Sequence, residues 1–95
     1  MKVLVLVIKL RASWVHSLKE KRMILLSITK RLKNKYNVSV GEVGEQDTHK
    51  IIQIGISQVA TSKDVLYASK EDIITFIEEN CEAEIIDIEE EIIDF

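Results

Sequence analysis

The sequence has few of the residues that staple or interrupt a chain: no proline, one cysteine and three glycines among 95 residues. Because Cys81 is alone, an intrachain disulfide is excluded, which fits a reducing compartment. Without proline, no rigid linker marks a domain boundary. The glycines at positions 41, 44 and 55 match neither nucleotide-binding pattern, so a glycine-rich phosphate loop is excluded as well.

Long apolar runs are also missing. The first one covers residues 3–8 and ends at Lys9, whereas a membrane-spanning helix needs roughly 20 apolar residues. No separate basic region precedes this run and no small-residue cleavage site follows it, so we expect no secretory signal. Hydrophobic residues make up 46% and charged residues 31% of the chain, the balance of a globular protein. We therefore predict a single domain over residues 1–95, located in the cytoplasm without membrane contact.

The charges are divided along the chain. The net charge is −3, but residues 1–35 carry ten Lys and Arg against one Glu, whereas residues 36–95 carry three Lys against fifteen Asp and Glu. Such a division is typical of a polyanion-binding face, of self-association between opposite faces, or of two solvated helices.

Apolar periodicity predicts six elements. Alternation at period two indicates strands at 2–11, 38–43, 52–57 and 86–89, the last followed by an acidic and apolar tail at 90–95. Ser17, with Glu20 three residues later, forms a capping box that starts the first helix, which breaks at 34–37. Ser62 or Asp64 caps the second helix, which runs to about residue 80. The first strand is apolar on both faces, so we place it in the middle of the sheet.

The order βαββαβ with right-handed crossovers predicts an α+β fold of the ferredoxin-like, split-βαβ type, with an antiparallel sheet of order 4-1-3-2 and both helices on one face. In this topology the segments 12–16, 44–50 and 81–83 emerge at the same end of the sheet. Loops at one end of a scaffold are the usual place for a site. The candidate residues at this end are Trp14, Gln46, Asp47 and His49.

The first helix presents basic side chains at steps of three and four residues, on a line about 20 Å long that begins at the helix N-terminus. We predict that this line binds nucleic-acid phosphates. A solvated helix face is the alternative. Aromatic residues make up only 5% of the chain, so stacking on several bases is poorly supported. The predicted phosphate-binding residues are His16, Lys19, Lys21, Arg22, Lys30 and Lys33.

No catalytic or metal-binding constellation stands out. His16, His49, Asp47 and Cys81 are metal-ligand types near one sheet end, but none shows a recognised ligand spacing. The carboxylates between residues 42 and 47 are typical of turns and solvated charges. We therefore predict a non-enzymatic protein that needs no metal and no cofactor.

The sheet face opposite the helices carries an uncovered apolar strip, Val3, Val5 and Val7. Pairing two such faces would remove the strip from water, so we predict a homodimer. Lys9 and Arg11 lie on the same face, where Asp87 and Glu89 are expected across the strand boundary. The alternative function is a protein-interaction or small-ligand regulatory module that dimerises through this face.

Three stretches carry a family resemblance: HSLKEKR at 16–22, NVSVGEV at 37–43, and Gln46-Asp47. Together they resemble the YlxP-like family of bacterial proteins of unknown function, nearly from end to end. The resemblance implies a ferredoxin-like fold. It also implies RNA or ribosome contact, because genes of the family often neighbour those for translation initiation and ribosome maturation. Many relatives have a bulky apolar and aromatic pair after the Gln-Asp dipeptide, where this chain has Thr48 and His49.

Overall fold

The structure, a computed structural model, describes residues 1–95. Four strands and two helices follow one another in the predicted order βαββαβ. Both helices contain 18 residues. The elements are β1 (Lys2–Arg11), α1 (Leu18–Lys35), β2 (Ser39–Gly44), β3 (Ile51–Ala60), α2 (Lys63–Asn80) and β4 (Glu84–Asp94).

The strands form one antiparallel sheet of order β2-β3-β1-β4, which confirms the predicted ferredoxin-like topology. The helix-facing side chains of β1 are fully buried, and those on its other face are only partly buried. β1 therefore sits centrally because both of its faces are apolar. The buried β1 residues are Leu4, Leu6, Ile8 and Leu10.

A serine caps the N-terminus of each helix. Ser17 Oγ accepts a hydrogen bond from the Glu20 amide at 3.2 Å, and Ser62 Oγ accepts one from the Asp64 amide at 3.2 Å. The first bond confirms Ser17 as the predicted cap of α1, whose hydroxyl in turn donates to Glu20 Oε1 at 3.4 Å, and the second identifies Ser62 as the cap of α2. Each helix contributes its aliphatic stripe to a single core beneath the sheet, so both helices cover the same sheet face. Neither helix is long and apolar enough to cross a membrane.

The end of α1 is tied to α2 by an aromatic pair. The Tyr36 hydroxyl donates to Asp72 Oδ2 at 2.6 Å, and its ring meets that of Phe76 edge-on, with 5.8 Å between centroids. Burial and the neighbouring Asp72 carboxylate raise the pKa of the Tyr36 hydroxyl far above its ordinary value. Tyr36 therefore remains a neutral donor at physiological pH.

The last strand is much longer than predicted. β4 extends to Asp94, so the segment 90–95 is mostly strand and not a tail. The reason is that β1 offers a ten-residue edge, along which β4 pairs from Lys2 to Arg11. Backbone hydrogen bonds between Met1 and Phe95 and a Lys2–Asp94 ion pair of 2.7 Å close that end.

Two bulges shift the alternation of side chains. In β4, Ile85 lies opposite Leu10 and Asp87 opposite Lys9, so Ile86 is the extra residue. Ile85 therefore packs on the core, whereas uninterrupted alternation along the predicted strand 86–89 would have placed Ile86 there. In β2, Val43 is the extra residue. A bulge inserts one residue against the period of two, which a simple alternation pattern does not reveal.

Candidate functional site

The three predicted segments do meet at one end of the sheet. The Ala12 amide donates to the Lys50 carbonyl at 2.8 Å, which joins the β1–α1 loop to the β2–β3 hairpin. Arg11, the last residue of β1, lies opposite both Ile51 and Glu84, the first residues of β3 and β4. The N-terminus of α1 opens at this same end. The segments that carry the candidate residues thus share one end of the sheet, but Trp14 lines one cavity there and Gln46 and Asp47 line another.

Lys21 contradicts the prediction for one phosphate-binding residue. It is only 1% exposed, and its amino group forms an ion pair of 3.2 Å with Glu42. The amino group also donates to the backbone carbonyls of Glu45 and Thr48, at 2.9 Å for the second. Three oxygens already take up the three N–H donors of the Lys21 amino group, so it is not free to bind a phosphate. It fastens the hairpin to the first turn of α1.

The sequence contained a signal for this role. The apolar stripe of α1 jumps seven residues from Leu18 to Leu25, and Lys21 lies on the same helix face between them. A lysine inside an apolar stripe is expected to be buried and paired with a carboxylate. The same contacts join HSLKEKR to Glu42 and to the hairpin turn, so two of the family-like stretches meet at Lys21.

Four of the six remaining basic side chains of α1 form an exposed line, which we call the basic stripe. Lys19, Arg22, Lys30 and Lys33 are all exposed, with Leu26, at 68% exposure, in the middle of the line. None of the four forms an ion pair. The ion pairs of the structure use Lys2, Lys9, Lys21 and Lys70. His16 is exposed just before the helix cap, at the head of the stripe.

A polar cleft lies on one flank of the stripe, between α1 and the hairpin; we call it the hairpin cleft. Its volume is about 280 Å³, and Arg22 belongs both to it and to the stripe. It combines a guanidinium, an amide and carboxylates, so it offers hydrogen-bond donors and acceptors side by side. It is lined by Leu18, Lys21, Arg22, Glu42, Gln46 and Asp47.

The hairpin turn is held in a constrained shape. Glu45 has a φ of 58°, in the left-handed region that few residues other than glycine adopt. The turn closes with a hydrogen bond of 3.1 Å from the Thr48 amide to the Glu45 carbonyl. The backbone carbonyls of both residues also accept hydrogen bonds from the Lys21 amino group. Gln46 and Asp47 are therefore presented to the hairpin cleft from a fixed backbone.

An apolar groove lies on the other flank of α1; we call it the tryptophan groove. Its volume is about 290 Å³. Trp14 is 43% exposed beside it and Met23 65% exposed, so apolar surface is open to solvent here. The half-buried Cys81, at the end of α2, is part of its lining. The groove is lined by Trp14, Met23, Ile24, Ser27, Ile28, Asn80, Cys81 and Glu82.

The metal-ligand types at this end are not gathered into a site. Asp47 lines the hairpin cleft and Cys81 the tryptophan groove, on opposite flanks of α1. His16 is exposed and His49 half-buried. No group of three His, Cys, Asp or Glu side chains is arranged to hold a metal ion.

The open sheet face carries the predicted valine row. Val3, Val5 and Val7 are partly buried on β1, and a hollow of about 320 Å³ lies beside Val5 and Val7. The hollow forms where Gly41 and Gly55 lie opposite each other on β2 and β3. Lys9 lies opposite Asp87, but its amino group pairs with Glu45 at 3.6 Å.

Comparison with known proteins gives a family. A family model described as "Protein of unknown function (DUF503)" matches residues 3–90. The chain is 40% identical over 62 residues to the uncharacterized protein YlxP of Bacillus subtilis (strain 168), an alignment that covers 65% of this chain and 67% of the relative.

Proposed function

We propose that this chain, which belongs to the DUF503 family of proteins of unknown function, is a non-enzymatic cytoplasmic protein that binds RNA phosphates, on ribosomal particles or on other structured RNA. The observation that supports the proposal is the basic stripe. Four exposed cations follow one line of α1 and none has a carboxylate partner, although the chain has an excess of carboxylates.

The charges of α1 favour a polyanion over a protein partner of mixed charge. Seven basic residues and one acidic residue give the helix a net charge of +6. Lys30 and Lys33 are three residues apart, a spacing at which like charges repel each other by a few tenths of a kcal/mol. A phosphate chain laid along the stripe removes this repulsion and releases its own counterions, which drives binding.

Salt dependence tests the mechanism. With four cations in contact with phosphates, the logarithm of the association constant should fall with the logarithm of salt concentration with a slope of about −3. The measurement is fluorescence anisotropy of a labelled ribosomal RNA fragment titrated with the protein at several salt concentrations. A slope near zero would mean that apolar contacts dominate, and it would contradict the proposal.

A matched pair of charge reversals tests the location. Lys30→Glu, in the stripe, should weaken binding about tenfold at 0.1 M salt and reduce the slope by nearly one. Lys63→Glu, on α2, makes the same change in net charge at another exposed helix lysine without an ion pair, and should leave affinity within about twofold. Equal losses in both variants would show that net charge, and not the stripe, governs binding.

The double reversal Arg22→Glu with Lys30→Glu extends the test to ribosomal particles. We expect the wild-type protein to sediment with ribosomal subunits in a sucrose gradient and to be released by ribonuclease, and the double variant to stay at the top. Retention of the double variant on the particles would show that the basic stripe is not needed for binding, which contradicts the proposal.

A separate observation supports a homodimer. The valine row and the glycine hollow lie side by side on the open sheet face, so the uncovered apolar surface has both a ridge and a hollow. Glu89 and Glu91 on β4 flank the valines on one side, while Ser57 and Gly55 on β3 flank them on the other. Two copies related by an axis parallel to β1 place each carboxylate row over the partner's glycine and serine side. An axis across the strands would stack the carboxylates on each other.

The dimer is tested by Val5→Glu, which places a charge in the middle of the row. We expect light scattering to give the mass of two chains for the wild type and of one chain for the variant. The control is Val65→Glu, at an exposed valine of α2 that is 57% accessible. A monomeric wild type at high protein concentration would contradict the dimer and leave the RNA proposal intact.

A further inference from the structure

The tryptophan groove runs along the basic stripe. On α1, Met23 follows Lys19 by four residues, and Ser27 precedes Lys30 by three, and residues at these spacings are neighbours on a helix surface. The groove therefore begins about one side chain away from the cations that we assign to phosphates. A nucleotide whose phosphate lies on the stripe has its base within reach of the groove.

The groove also has the chemistry of a base site. Trp14 offers an exposed aromatic surface for stacking, and Met23 is a flexible apolar neighbour. Its edges are polar: Ser27 supplies a hydroxyl, Glu82 a carboxylate, and Asn80 an amide oxygen that is not used by the bond from its own nitrogen to the Phe76 carbonyl. Unpaired bases in RNA are recognised by such stacking together with hydrogen bonds to their edges.

We propose that the tryptophan groove binds one unpaired base of the RNA whose phosphates lie on the basic stripe. The inference rests on the proposed function. Its volume of about 290 Å³ is at the lower end of the range for ligand pockets, and Trp14 is the only aromatic residue among its lining. The protein therefore takes a single bulged or looped-out nucleotide, and it does not stack a run of bases as a single-strand-binding sheet does.

Trp14 is the only tryptophan of the chain, so its fluorescence reports on this groove directly. Two labelled RNA hairpins of equal stem length serve as probes, each closed by a non-nucleotide linker so that neither has loop bases. One is fully paired, and the other has a single unpaired nucleotide in its stem. We expect both to bind through the basic stripe. Only the bulged hairpin should quench Trp14, and it should bind about tenfold more tightly.

Two variants remove the base site in different ways. Trp14→Ala deletes the stacking surface, and Ser27→Phe fills the groove from α1 at an exposed position while leaving Trp14 in place. Each should lower affinity for the bulged hairpin about tenfold and leave the paired hairpin within about twofold. Tyr67→Ala, at an exposed aromatic residue of α2 that is 48% accessible, is the matched control and should change neither.

The outcomes separate this inference from the proposed function. If Lys30→Glu weakens both hairpins but Trp14→Ala weakens neither, the stripe binds RNA and the groove is left for another occupant, such as an apolar side chain of a protein. Equal quenching by both hairpins would likewise overturn the inference, because Trp14 would then report occupancy of the stripe. If neither hairpin binds, both proposals fail.

Discussion

The two helices share their length, type of cap and number of buried residues but differ in charge. Each has 18 residues, a serine cap and three buried residues. α1, however, carries seven basic residues and one acidic residue, whereas α2 carries two basic and five acidic residues. Their cations also behave differently. Lys70 on α2 pairs with Glu90 at 2.8 Å and with Glu71 at 3.3 Å, while the four cations of the basic stripe form no ion pair.

This difference separates a helix whose cations serve the scaffold from one whose exposed cations we propose as a binding surface. The bond to Glu90 is the main reason that the pKa of Lys70 is raised, so that lysine serves the packing of α2 on β4. On α1, Lys21 points inward to Glu42, and Arg31 and Lys35 contact α2 at the Asn80 carbonyl and the Phe76 ring. An exposed cation adds little stability even when it is paired with a carboxylate. The unpaired cations of the stripe repel one another slightly, so the fold gains no stability from them. The polyanion binding that we propose accounts for such a line.

The largest expected effect comes from Lys21, the one buried cation of α1. Lys21→Met removes the partner of the half-buried Glu42 carboxylate and the donor to two carbonyls. We expect the free energy of unfolding to fall by about 2–3 kcal/mol, measured by urea denaturation. Lys19→Met, on the exposed side of the same turn, should change it by less than about 0.5 kcal/mol.

Adding Glu42→Gln sharpens this test. The double variant should regain part of the loss, because a neutral amide tolerates the missing amino group better than a carboxylate does. If Lys21→Met unfolds at the same urea concentration as the wild type, the amino group does not fasten the hairpin. Lys21 would then have to be counted with the other cations of α1.

Lys21 also marks where reasoning from the sequence reached its limit. Periodicity and capping were enough for the order of elements, the sheet topology, the serine caps and the convergence of three segments at one end, because these depend on local patterns. The burial of Lys21 depends on a helix position and on Glu42, 21 residues later, so it required the apolar stripe and the hairpin to be considered together. The bulges at Val43 and Ile86, and the full length of β4, depend on the pairing partner and not on the segment itself.

A gain of function would sharpen the comparison next. Leu26 is the one apolar member of the basic stripe, at 68% exposure, so Leu26→Lys adds a fifth cation without disturbing the core. We expect affinity for the ribosomal RNA fragment to rise about fivefold at 0.1 M salt and the salt slope to become steeper by nearly one. Val65→Lys, at an exposed valine on α2, should not raise it.

A smaller effect concerns stability and has the opposite sign. Lys30→Glu replaces a repulsion from Lys33 by an attraction, so the free energy of unfolding should rise by about 0.3–0.5 kcal/mol while RNA affinity falls. A urea transition measured on the same preparation as the binding data would show this. If the variant is destabilised, its loss of binding could be due to unfolding, and the contrast between surface and scaffold would lose this support.

The smallest expected effect concerns the ion pair between Lys2 of β1 and Asp94 of β4. The hydrogen bond from Lys2 lowers the pKa of the Asp94 carboxyl below its ordinary value of 3.8. Its stabilising contribution is therefore fully present above pH 3.8 and is lost as the pH falls through the lower folded value. Asp94→Asn should slightly lower the urea midpoint at pH 7, and the gap to the wild type should close as the protein is acidified. Glu89→Gln, which removes an exposed carboxylate without an ion pair, is the control and should show no such gap. Only carboxylates that are paired with a cation in the folded state contribute to this pH dependence.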